Sequence, residues 1–230
     1  MITKKEHRPI PLALTALIAI FSALAALSLS GGQHMTMGAS AATVQRTASI
    51  SSSEFALHND MRRLWEDHVT WTRLAIISLT TDSPDTKATV ARLLQNQTDI
   101  GNAIKPYYGA AAGTKLTALL RQHILIAADL IAAAKKGDQA GVAAQEARWK
   151  ANADQIAAFL NQANPSLWKL GAMKAMLSEH LRLTTSEVVA RLEHNWTADV
   201  RAYDEINRQA LHMADMLSSG IVGQFPSRFR

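Results

Sequence analysis

From Glu54 onward, apolar residues recur every three or four positions, the spacing of one face of an α-helix. Leu57, Met61, Leu64, Trp71, Ala75 and Leu79 form one stripe and predict a first helix over about 54–79. Thr81-Asp82-Ser83-Pro84 closes it. Ser83 suits an N-cap and Pro84 the first turn of a second helix, which would run to about Ile104 before Lys105-Pro106 stops it. A third pattern, from about Ala110, ends in Lys135-Lys136-Gly137, with cations at the negative helix end and glycine just beyond. Asp138 is placed to cap a fourth helix reaching about Ala163, and Asn164-Pro165-Ser166 breaks the chain again. The last pattern, about 172–219, is long for one helix, and a break is expected near Thr184-Thr185 or Asn195. Short connections between long helices make neighbours antiparallel. The expected fold is therefore all-α: an up-down bundle of four or five helices with a long C-terminal helix.

The residues before Glu54 have a different pattern. Lys4, Lys5 and Arg8 precede an uncharged run from Ile10 to Leu29, which reads as an export signal or an N-terminal membrane anchor. Small residues suit cleavage before Gly31 or before Ala42, and the sequence favours cleavage over retention. Either way the positive charges stay inside, and the body is expected outside the cytoplasm, secreted or anchored to the outer face of the membrane through residues 10–29. Residues 31–53 are small, polar and without period, the composition of a linker. The predicted organisation is a leader over 1–30, a linker over 31–53, a bundle domain over 54–225 and a tail over 226–230.

Composition narrows the chemistry. The 230 residues contain no cysteine, so disulfides, lipid attachment through cysteine and thiol catalysis are excluded. Proline (6) and glycine (11) are scarce enough to favour helices over hairpin turns. The net charge of +5 falls to about +3 once Lys4, Lys5, Arg8 and Glu6 are set apart. Acids interleave with the remaining bases, so no nucleic-acid-binding stripe is expected. His-Glu-x-x-His, Glu-x-x-His pairs, Gly-x-Ser-x-Gly and phosphate-binding glycine loops are all missing.

What stands out is polar residues on apolar stripes. Leu64-Trp65-Glu66-Asp67-His68, Leu93-Leu94-Gln95-Asn96-Gln97, Leu119-Leu120-Arg121-Gln122-His123 and Met176-Leu177-Ser178-Glu179-His180 share a form: an apolar pair, two polar residues, then His or Gln. This echo raises the prospect of an internal duplication. His68, Gln97, His123 and His180 fall at core-facing addresses, as do Asn152 and Asp199 in later helices. An unpartnered polar group in an apolar core costs about 1–3 kcal/mol, so several are tolerable only if they meet each other, water or a ligand. With alternate helices parallel, His68, His123 and His180 would reach similar heights and converge. Three imidazoles suit Zn, Cu or Fe, with Asp67, Glu179 or Asp199 as oxygen ligand or outer partner. The competing reading is a satisfied polar layer in which each ring bonds an amide such as Gln97 or Asn152. Elsewhere, His34, Met35 and Met37 in the linker, and His212, Met213 and Met216 on the last helix, gather soft donors that read as incidental or as packing.

Residues 64–73 (LWEDHVTWTR), 93–109 (LLQNQTDIGNAIKPYYG), 119–127 (LLRQHILIA), 147–160 (ARWKANADQIAAFL) and 196–206 (WTADVRAYDEI) resemble those of a family of exported bacterial helical proteins frequent in spore-forming Gram-positive bacteria. That family has no established activity, and no functional residue carries over from it. The labels glycosyltransferase and acetylglutamate kinase circulate for such proteins. Neither finds support here, because there is no nucleotide loop and no α/β alternation. The expected function is a non-enzymatic extracytoplasmic binding or envelope-associated module. The alternatives are a metalloenzyme acting on a small substrate at the histidine cluster, or a purely structural surface protein.

Overall fold

The computed structural model describes residues 50–230, and the leader, its cleavage sites and His34, Met35 and Met37 lie outside them. The described chain is helical almost throughout: α1 (Ser52–Thr81), α2 (Thr86–Lys136), α3 (Gln139–Ala163), α4 (Leu170–Leu192), α5 (Trp196–Gln224) and a closing 3-10 turn (Pro226–Phe229). The expected all-α bundle of five helices is what forms, with two differences in how the chain is punctuated.

The first difference is inside α2. Gly109 there has φ 83° and ψ 167°, a conformation reserved for glycine, and the helix reverses about it. The reversal is visible in the packing of the two arms. A Cβ added at Gly101 would lie 1.9 Å from Thr117 Oγ1 and 2.6 Å from the Gly113 carbonyl, and one at Gly113 would strike Lys105 and the Gly101 carbonyl. Positions 101 and 117, like 105 and 113, are equidistant from 109, as an antiparallel turn requires. Lys105-Pro106 therefore does not end the first arm; the glycine three residues later does. Gly101→Ala should force the arms apart and lower stability by about 3 kcal/mol, a fall of about 6–12 °C in melting temperature. Gly171→Ala, where an added Cβ meets nothing within 4 Å, should be neutral or slightly stabilising.

The long C-terminal pattern splits near Asn195, one of the two expected positions. His194 takes φ 58°, and Asn195 caps α5 by accepting from the Ala198 N–H. The turn after α1 also departs from expectation. α2 starts at Thr86 with Asp85, not Ser83, at the cap position. The Asp85 carboxylate accepts the Ser78 hydroxyl at 2.7 Å, which ties the turn to the preceding helix. Asp138 caps α3 as expected.

Helix α1 packs on α2 and α5, α2 on α3, α3 on α4 and α4 on α5, so the chain closes into a ring. With α2 counted as two arms (86–108 and 110–136), that ring is three successive antiparallel hairpins. Met61, Leu64, Leu116, Leu120, Ile156, Met173, Leu177, Met213 and Ile221 fill its interior. The apolar α2 is long enough to satisfy a membrane-span test by composition, but its buried face belongs to this core. The tail is part of the fold as well, since Phe229 is buried and stacks on Tyr107.

Candidate functional site

Each hairpin contributes one histidine from its first helix and an amide from its second. Gln97 Nε2 lies 3.1 Å from His68 Nδ1, Asn152 Oδ1 lies 2.8 Å from His123 Nδ1 and Gln209 Oε1 lies 3.1 Å from His180 Nδ1. Each amide follows its histidine by 29 residues. A second bond repeats with it: Asn96 donates to the Leu64 carbonyl, Asn152 to that of Leu119 and Gln209 to that of Met176. These carbonyls stand four residues before the histidines, so each accepts one helical N–H and uses its second lone pair for the amide. In the second and third hairpins one side chain makes both bonds. In the first, Asn96 takes the carbonyl and Gln97 the ring. The echo noticed in sequence thus resolves into three hairpins, with the 93–98 segment belonging to the second helix of the first hairpin and not to a fourth copy.

The three rings meet on the axis. Ring centroids of His68 and His180 are 5.7 Å apart and those of His123 and His180 6.3 Å, tilted by 33° and 36°. Trp65 packs edge-on against His68 and Trp149 lies against His123. All three histidines are buried, and burial, with the neighbouring imidazoles adding to it, holds His68 well below its ordinary range and His123 at about 3. Burial also lowers His180. The rings are therefore neutral at pH 7.

Their bonds fix the tautomers. Asn152 and Gln209 use their nitrogens on backbone carbonyls, so their oxygens accept Nδ1–H from His123 and His180. The two hydrogens of Gln97 Nε2 are shared among the Leu93 carbonyl, Asn96 Oδ1 and His68 Nδ1, and an amide nitrogen cannot accept a proton from the ring. Turning that amide over would set oxygen against oxygen, so His68 accepts at Nδ1 and carries its proton on Nε2. One Nε2–H and two Nε2 lone pairs are left on the inner side. Below them lies a cavity of about 40 Å³ lined by Met61, Trp65, Leu120, Trp168, Met213 and the three histidines. That is room for about three waters. The Trp65 and Trp168 indole N–H groups are buried without a protein partner, that of Trp168 against Gly220. A second apolar cavity of about 40 Å³, lined by Ala75, Leu93, Ile131 and Val188 among others, lies on the other side of the layer.

The convergence expected of His68, His123 and His180 is present. Among the described residues no group of three histidine, aspartate or glutamate side chains is placed to hold a metal ion. The oxygen donors are elsewhere. Asp67 is half exposed beside Arg92, and Glu179 is exposed and paired with Arg182. Both stand one residue before a buried histidine, and one residue turns a side chain about 100° around the helix, out of the core. Asp199 is buried but belongs to a separate ionic cluster. Arg73 grips it with both nitrogens at 3.0 Å, Arg191 reaches it at 2.8 Å, and Arg73 also bonds Glu187 at 2.8 Å. This cluster joins α1, α4 and α5, five residues beyond His68 on α1 and seven beyond His180 on α4. Burial pushes Glu187 up to about 7 against the pull of Arg73.

Gln97 and Asn152 occupy the polar-core positions expected of them. Sequence reasoning missed Asn96, Gln209, Arg73 and Glu187. The constant 29-residue offset from each histidine would have pointed to Gln209. Met213 packs in the core, and His212 points to solvent. Compared with protein families, with curated proteins and with solved structures, the chain matches none.

Proposed function

We propose that the protein is exported and acts outside the cytoplasm as a non-catalytic, envelope-associated helical module. The observation that carries this reading is the way the core spends its polar residues. The three histidines are bonded to amides of their own hairpins, and the buried acids are bonded to Arg73 and Arg191. Among the described residues the buried histidines and acids are each held by a protein partner, which supports a reading in which what the protein binds is met on its surface. The uncharged run from Ile10 to Leu29 behind Lys4, Lys5 and Arg8 supplies the export.

Cell fractionation with protease treatment of intact cells tests the location. The chain should be degraded from outside, with an N-terminus at Gly31 or Ala42 if processed and an intact leader if retained. A protected, unprocessed cytoplasmic chain would contradict the proposal. A second measurement addresses the histidine layer. Tag-free protein should contain less than about a tenth of an equivalent of zinc, copper or iron, and its melting temperature should be the same in EDTA, zinc or copper. A stoichiometric metal with a raised melting temperature would instead make His68, His123 and His180 ligands.

A further inference from the structure

We propose that the end of the bundle at which α1 begins seats on an anionic lipid surface. Four parts of the chain meet there: the start of α1, the reversal at Gly109, the connection 164–169 and the closing 3-10 turn. Arg228 donates to the Pro106 carbonyl at 2.7 Å, Tyr108 to Gln224 at 2.7 Å, and Gln224 to the Ala163 carbonyl at 3.0 Å, which binds the turns into one platform.

That platform displays Phe55, Leu167 and Leu170, exposed by 61%, 50% and 41%. The same segments carry Lys105, Lys169, Arg228 and Arg230, against the carboxylates of Glu54 and of Asp60, which lies near Tyr107. The opposite end is balanced. Its turns carry Asp82, Asp85, Asp138 and Glu193 beside Lys87, Lys135, Lys136 and Arg191, and the Lys135 ammonium there is held by Asp82 at 2.6 Å. Exposed apolar side chains ringed by cations fit a negatively charged interface, where each nearby Lys or Arg contributes about 1 kcal/mol and apolar groups enter the headgroup boundary.

A lipid surface is favoured over a protein partner because the chain enters the bundle at this end, from the side of the uncharged run Ile10–Leu29. The inference rests on the reading above that this run places the protein at the outer face of a membrane.

The absence of cysteine permits a clean test on the full chain. Single variants Leu167→Cys at the cationic end and Val200→Cys at the opposite end are spin-labelled. They are reconstituted with vesicles of phosphatidylcholine alone or with a third phosphatidylglycerol. Helicity and melting are compared with the parent chain, so that a labelled variant that fails to fold is recognised. With phosphatidylglycerol, the label at 167 should favour collision with oxygen over an aqueous nickel complex at least threefold more than the label at 200. That preference should vanish in phosphatidylcholine and in Lys169→Glu/Arg228→Glu. A chain that floats with the vesicles while both labels stay aqueous overturns the docking and leaves the tether standing. A chain that does not float with either vesicle overturns both.

Discussion

Lowering the pH below 6.5 should destabilise this protein progressively. An unfolded histidine takes up a proton near pH 6.5, whereas His68, His123 and His180 in the bundle are held below that value, His123 at about 3. A group whose folded pKa is depressed in this way favours the unfolded chain as pH falls from 6.5 toward the folded value. Each contributes a slope of about 1.4 kcal/mol per pH unit. Glu187 acts with the opposite sign. Its folded pKa is raised to about 7, so from there down to its unfolded pKa of 4.5 the folded state binds the extra proton. Three depressed histidines against one raised carboxyl make the unfolded chain the net binder of protons, so stability falls as pH drops below about 6, by at most about 2.7 kcal/mol per unit down to pH 4.5. Denaturant titrations at half-unit steps would measure it. His180→Leu/Gln209→Leu, which removes a ring together with its amide, should flatten the slope by about one proton. A slope of one proton or less in the parent chain would be incompatible with a neutral layer.

Arg73→Met should be the most damaging single change, costing about 3–5 kcal/mol. Arg73 supplies three hydrogen bonds to Asp199 and Glu187, and its guanidinium lies 4.7 Å over the Tyr203 ring. Asp199 would keep Arg191, but Glu187, only 1% exposed, would lose its one hydrogen-bonded partner and would have to take up a proton. Arg73→Lys cannot reproduce the two-armed grip and should cost about 2 kcal/mol. Because the penalty comes from an abandoned charge, Arg73→Met/Glu187→Met should recover a large part of the loss. Urea midpoints of the four proteins decide this. A double variant no better than Arg73→Met would show that the arginine acts through packing alone.

The extent to which the sequence exposed this architecture varied with the range of the interaction. Helices were legible because a stripe such as 57, 61, 64, 68 depends on one helix alone, and His68, His123 and His180 were legible as core residues for the same reason. Pairing between helices was not. Asp199 sits on a core stripe like Asn152, and only the adjacency of α1 and α5 shows that it answers Arg73, 126 residues away, and not a histidine. Asp67 and Glu179 looked like natural partners because they adjoin histidines in sequence, yet on a helix that adjacency points them outward. The reversal at Gly109 was hidden for another reason: Lys105-Pro106 carries a stronger stop signal, but the arm runs on past the proline, which has no N–H for the Asn102 carbonyl, and the chain turns where only glycine can take the required angles. The 29-residue offset was present in the sequence throughout. It acquires meaning only once the hairpins show which residues face one another.

The central claim is that three hairpins meet at a sealed layer of neutral, tautomer-fixed histidines. Long-range proton–nitrogen NMR of the imidazole rings between pH 7.5 and the onset of unfolding tests it most directly. His123 and His180 should carry their proton on Nδ1 and His68 on Nε2, with none of the three titrating while the protein remains folded. A ring that protonates near pH 6.5 in the folded state, or one whose nitrogen shifts respond to added zinc, would contradict it.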